Sequence, residues 1–153
     1  MAIYDSVDLF WSWDGDFGIG TDGDVRDTGE DYLLSLIQEI HTVVKSEIGD
    51  WEGDPMVGAT LSDFIGEANT RENGKKLEDR VRYKLIEAQV VRQDDLSVRV
   101  VPVSIHQVMI MINVVVVATT ENKLNVGDQV NVNLLYDTME NGLFFMPDTS
   151  VQE

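Results

Sequence analysis

Residues Val100–Thr120 read VVPVSIHQVMIMINVVVVATT, a run of twenty-one positions without an Asp, Glu, Lys or Arg in a chain whose net charge is −17. A membrane helix needs about 20 predominantly apolar residues, and this run is interrupted by Pro102, His106, Gln107 and Asn113. Valine and isoleucine dominate it, and their branched Cβ atoms fit a pleated strand better than a helix. The run therefore reads as two strands and a turn.

The phase of the apolar residues gives the strands their faces. Leu96, Val98 and Val100 alternate with Ser97 and Arg99, after which the apolar phase moves to Val101, Val103 and Ile105. A slip of one residue near Pro102 predicts a β-bulge. Pro102 cannot donate to a ladder, which places this first strand at a sheet edge or bulges it there. His106-Gln107 marks the reversal. In the return strand Val108, Ile110, Ile112, Val114, Val116 and Ala118 form one apolar face, and Met109, Met111, Asn113, Val115 and Val117 form a second that is nearly as apolar. Leaving a large apolar side chain in water forgoes about 1.5–3 kcal/mol, so both faces call for a cover. Helices of the same chain supply one layer; a partner is expected to supply the other.

Outward from these strands, EDYLLSLIQEIHTVVKSEI carries Leu33, Ile37, Ile40, Val44 and Ile48 at spacings of three and four, predicting an amphipathic helix that ends near Gly49. Thr28 with Asp31, or Asp27 with Glu30, resembles a capping box for it. TLSDFIGEA predicts one or two helical turns capped by Thr60. A second long helix is expected from about Gly74 to Val91, with Leu77, Val81, Leu85 and Ala88 on one stripe and Lys76, Arg80 and Lys84 on another. In QVNVNLLY, Val130, Val132, Leu134 and Tyr136 alternate with asparagines, as in a strand with one buried face. Asn141-Gly142 signals a C-terminal hairpin, and residues 147–153 read as a loose tail. The pattern predicts an α+β fold: a small mixed or antiparallel sheet with two long amphipathic helices packed on it. At 153 residues the chain makes a single domain, 1–153.

Composition narrows the partners. Twenty-eight acids against eleven bases repel phosphate backbones and anionic lipid heads, so neither nucleic acid nor membrane is expected as a partner. Six of the bases (Arg71, Lys75, Lys76, Arg80, Arg82, Lys84) nevertheless fall within fourteen positions, while residues 1–31 hold nine acids and one Arg. Such segregation suits electrostatic docking between unlike surfaces, within the molecule or across copies and partners. The start, MAIYDSVDLFWSWDGD, lacks a basic leader and a sustained apolar segment, so cytoplasmic synthesis is expected.

No motif selects a catalytic or cofactor site, and no cofactor is expected. The chain has no cysteine, and His41 and His106 stand apart from any Ser or Cys arrangement of a triad. DGDFGIGTDGDV places Gly18 and Val25 where an EF-hand needs oxygen ligands, so a tight acidic turn is the better reading than a calcium loop. Glu39 and Glu47 read as solvated acids of the first helix. Trp11, Trp13, Trp51, Phe144 and Phe145 fit a core and a partner interface equally well.

The order of segments, DLFWSWDGDFGI, GDVRDTGEDYLLSLIQEIHTVV, SEIGDW, PMVGATLSDFIGE, the basic helix and the valine-rich strands, resembles the baseplate wedge and sheath-initiator proteins of contractile phage tails, related to wedge components of type VI secretion systems. It spans roughly Asp8–Tyr136. Gly49-Asp50 stands where the family commonly has Gly-Glu, and VVRQDDL where it often has Glu-Pro-Arg, with Arg92 in the basic role. The resemblance implies a structural protein of the virion tail baseplate, assembled in the host cytoplasm in multiple copies of a symmetric particle. It would contact wedge proteins, tube or hub proteins and the tail sheath protein, whose first ring it would nucleate by β-strand addition. Together with the apolar strands and the basic helix, this puts partner contacts on Val98, Val100, Pro102, Val103, Ile105, Met109, Met111, Asn113, Val115 and Val117, and on Lys76, Arg80, Lys84 and Arg92. Some relatives are labelled lysozyme-like, which makes a peptidoglycan-cleaving hydrolase using an acidic pair the alternative.

Overall fold

A computed structural model describes residues 4, 9–11, 16–29, 32–67, 70–117 and 124–146, with the backbone of 150–152. The uncharged run is β-structure as far as Val115. β1 (Leu96–Pro102) and β2 (Gln107–Val115) pair antiparallel, followed by β3 (Gln129–Asp137), β4 (Gly142–Phe145) and β5 (Ser150–Gln152). The strand order is β1-β2-β3-β4, every pairing is antiparallel, and β5 joins β3 on the side that β4 also occupies. β4 and β5 thus line one edge of β3 in succession, where a loose tail was expected; residues 147–149 and 153 lie outside the described residues.

Two helices, α1 (Tyr32–Lys45) and α2 (Arg71–Glu87), complete an α+β fold, with α2 against β1 and α1 against α2 and β3. Beneath them the even residues of β2 and β3 form the core: Ile110, Val132 and Leu134 are fully buried with Ile40, Val81 and Leu85. Among the described residues no helix is long and apolar enough to cross a membrane.

Several sequence expectations change. The register runs without interruption from Leu96 opposite Val114 to Pro102 opposite Val108, so there is no bulge at Pro102. The apolar phase moves there because Val101, Val103 and Ile105 are exposed; they follow the solvent side and its turn, not the core. β1 does lie at the sheet edge. The reversal occupies Val103–His106, with the Val103 and Ser104 N–H groups donating to the Gln107 carbonyl.

α1 stops at Lys45, so Ile48 is exposed and Glu47 lies beyond the helix. The Ser46 hydroxyl donates back to the Thr42 carbonyl, Asp50 accepts from the Glu47 N–H, and the Thr60 hydroxyl accepts from the Ile48 N–H. These side chains offer the backbone partners outside the helix, which ends it. Thr60 caps no helix of its own: it sits at φ 52° before a short 3₁₀ turn, Leu61–Phe64. α2 starts three residues before the expected Gly74, because Thr70 accepts from the Asn73 N–H at 3.2 Å. Glu30 and Asp31, needed for the capping boxes of α1, lie outside the described residues, as do Trp13 and Ala118.

Candidate interaction surface

One face of the sheet is packed on the helices; the other is not covered by any described element. Registers place the odd residues of this outer face in rows across the strands. Val101, Met109, Leu135 and Phe144 form an apolar row at the end nearest the β1–β2 turn. Arg99, Met111 and Asn133 form the next, and Ser97, Asn113 and Asn131 a polar one beyond it. Asn113 and Asn131 bond side chain to side chain across the strands. Phe144 remains 50% exposed and Met111 37%. The sequence predicts a nearly apolar odd face on β2 and asparagines on the outer face of β3, and the registers set the two side by side. Asparagine occupies the rows toward one end, so apolar surface is concentrated at the other.

The free side of β1 has a definite hydrogen-bonding pattern. Val103 N–H donates to Gln107 C=O, and antiparallel pairs alternate between bonded and unbonded residues. Residues 101, 99 and 97 therefore direct their backbone groups to β2, and 96, 98, 100 and 102 direct theirs outward. The outward Leu96 carbonyl accepts from Arg82 Nη1 at 2.7 Å. Pro102 has no N–H to offer. Between these two stops, Val98 and Val100 present their N–H and C=O groups with no described partner.

A groove of about 860 Å³ runs along this edge under the first turns of α2, lined among others by Arg71, Gly74, Lys75, Arg99, Val100 and Pro102. α2 comes close to β1 at Gly74, where a Cβ would sit in ordinary van der Waals contact with Val100 Cγ1 at 3.8 Å. Lys75 is neutralised by Glu78 and Asp79 at 3.4 and 3.1 Å. Arg71 and Arg99 make no ion pair or hydrogen bond with any described residue.

The basic stripe of α2 is paired largely within the molecule. Lys76, Arg80 and Lys84 line a cleft of about 700 Å³ with Asp63, Glu67 and Asp79. Arg80 reaches Asp63 at 2.8 Å, and Lys76 reaches Glu72 at 3.7 Å. Lys84 is buried, 3.4 Å from the Met56 carbonyl and 3.5 Å from Glu87. Arg92 is turned onto the buried Asp95. Of the strand residues, the side chains of Val98 and Val100 face α2, whereas Val103, Ile105 and Val117 are exposed and Met109, Met111, Asn113 and Val115 lie on the outer face.

A further exposed apolar region lies in the N-terminal segment. Isolated bridges join Leu9 to Asp27, Trp11 to Phe17 and Ile19 to Val25, and Gln38 of α1 holds the segment through the Trp11 N–H and the Leu9 carbonyl. Leu9, Trp11, Phe17, Ile19 and Val25 are all exposed. Asp22 and Asp24 accept from the backbone N–H groups of Asp24 and Val25, the bonding of a tight acidic turn. Asp14 lies outside the described residues. Among the described residues no three His, Asp or Glu side chains are grouped to hold a metal ion. Glu47, one of the two acids considered on the first helix, accepts from Ser62 Oγ at 2.9 Å.

Sequence signals for the groove were present in part: Pro102 and the basic cluster point to it, but the pairing of most of that cluster with acids appears only when α2 is folded. Comparison with protein-family models, with curated proteins and with solved structures finds no match to this chain.

Proposed function

We propose that this chain is a structural component of a contractile tail baseplate, which docks onto wedge and tube-proximal proteins and nucleates tail sheath assembly by β-strand addition. The observation that supports this reading is a half-covered antiparallel sheet: helices pack one face, while the outer face and the Val98–Val100 edge have no described cover. An edge with unpaired backbone groups is a template for another chain's strand. Arg82 and Pro102 limit the template to a short window, which restrains indiscriminate pairing while leaving room for a specific one. Multiple copies in a symmetric virion tail, assembled in the host cytoplasm, belong to the same proposal.

Val100→Pro tests it. The Val100 N–H points away from β2, so proline there removes one outward donor and leaves the internal ladder whole. Baseplates carrying the variant are expected to build tubes without sheaths, as seen by electron microscopy. Normal sheaths on such baseplates would overturn strand addition at β1. A tagged chain that never co-sediments with tail particles containing sheath and wedge proteins would overturn the whole reading.

A further inference from the structure

We infer that the groove between α2 and the free edge of β1 accepts an acidic extended segment of a partner protein, selected by Arg71 and Arg99. This deepens the strand-addition reading and rests on it. The backbone window, Val98 and Val100, would supply affinity without sequence preference, because main-chain bonds carry no side-chain information. Selection must come from the side chains that flank the incoming strand. Successive residues of a strand point to opposite faces. On the helix side they would meet Arg71 and the start of α2; on the outer side they would meet Arg99.

The charge of these flanks decides the chemistry of the occupant. In a chain with twenty-eight acids and eleven bases, nearly every described cation is engaged within the molecule. Lys75, Lys76, Arg80, Lys84 and Arg92 are in ion pairs, Arg82 is on the Leu96 carbonyl, and Arg26 lies over the Phe10 ring. Arg71 and Arg99 are unneutralised and flank the same groove, one on each side of the only outward-facing backbone window of β1. A strand with carboxylates on both faces would complete both guanidiniums with charge-assisted bonds. A strand bearing lysines would face them with like charge. A second copy of this chain could fill the groove only with an acidic extended strand of its own. The acidic segment of residues 16–27 already spends backbone donors on its own bridges.

The test uses the full chain and two capped synthetic peptides, one of Val-Val-Glu-Glu repeats and one of Val-Val-Lys-Lys repeats, so that each presents its charges on both faces of a strand. Fluorescence anisotropy is expected to show the glutamate peptide binding at least about tenfold tighter, with affinity falling as salt rises from about 0.05 to 0.3 M. Arg71→Glu with Arg99→Glu should abolish that preference while leaving the thermal midpoint within about 2 °C of the parent. Val100→Pro should weaken both peptides. Equal binding of the two peptides, binding of neither, or a glutamate preference indifferent to the double variant would each overturn the assignment. A dimer at low salt that Arg99→Glu dissolves would give the groove to a second copy and overturn it too. Sheathless Val100→Pro baseplates alongside a failed peptide test would leave strand addition standing and remove only the acidic occupant.

Discussion

Arg92 Nε lies 3.1 Å from Oδ2 of Asp95, whose side chain is completely buried. The same carboxylate accepts from the Tyr4 hydroxyl at 2.8 Å and, through Oδ1, from the Val117 N–H at 3.2 Å. The Arg92 N–H in turn donates to the Tyr4 oxygen. One acid therefore ties residue 4, the α2–β1 connection and the end of β2 together. Burial first, and the Asp95 charge with it, holds the Tyr4 phenol well above its ordinary range. The bond to Asp95 raises Arg92 further.

Asp95→Ala leaves the Tyr4 hydroxyl and the Val117 N–H without their acceptor and Arg92 without its anion. Breaking a buried pair from one side costs about 3–5 kcal/mol, so urea unfolding at pH 7 is expected to show a loss near the lower end. Arg92→Ala should cost less, about 1–3 kcal/mol, because Asp95 keeps two neutral donors. Equal, negligible losses from both variants would contradict the network.

His41 predicts a pH dependence. It lies edge-on to Phe145 at 5.0 Å, and burial, with Lys45 adding to it, pushes its pKa down to about 4. In the unfolded chain the imidazole titrates near 6.5. Between these values the unfolded state holds a proton that the native state lacks, so stability is complete above about pH 6.5 and falls as pH drops toward 4. The loss is of order 2–3 kcal/mol. His41→Gln should flatten the midpoint-against-pH curve between pH 7 and 4.5; an unchanged slope would show that other groups set it.

Gly58 predicts the most severe small substitution. It sits at φ 131°, and a Cβ would lie 2.7 Å from the Ser46 carbonyl oxygen and from the Glu47 carbonyl carbon. Neighbouring Ala59 and Thr60 donate to Val43 and Ser46, which pins the segment to the end of α1 and prevents retreat. Gly58→Ala is expected to cost about 3 kcal/mol or more, seen as a lowered thermal midpoint. Gly53→Ala, with open space around it, serves as the comparison.

The two faces of β2 should respond oppositely to truncation. Ile112 is buried and Met111 is 37% exposed. Ile112→Ala is expected to lose about 2–5 kcal/mol, while Met111→Ala should stay within about 0.5 kcal/mol. Similar losses at both positions in the isolated chain would mean that the outer face is covered after all.

Much of the architecture was legible from periodicity. The alternation of Val130, Val132, Leu134 and Tyr136 with asparagines, and the stripe from Leu33 to Val44, report burial directly, because each residue's environment repeats with its own element's period. The turn at Pro102 misled for the same reason in reverse: exposed Val101, Val103 and Ile105 mimic a shifted core phase. Helix ends were less legible. Thr70 is a local cap that went unused in the sequence reading. The end of α1 depends on Thr60, twelve residues from the Ile48 it bonds, and no local pattern carries that.

For the candidate site, sequence alone determined that a two-faced apolar strand exists, that Pro102 belongs at an edge and that the cations are clustered. These follow from residue type and spacing. Tertiary structure decided which groups are left over. Pairing consumes Lys76, Arg80, Lys84 and Arg92 against acids brought from elsewhere or from the next helical turn, and Arg82 against the Leu96 carbonyl. The register of β1 on β2 turns Val98 and Val100 outward, and the packing of α2 sets Arg71 across the groove from Arg99. The pairs of Lys75, Lys76, Lys84 and Arg92 join residues three or four apart and follow from local spacing. Arg80 on Asp63, Arg82 on Leu96 and the hydrogen-bond parity of β1 depend instead on distance in space, which the order of residues along the chain does not contain.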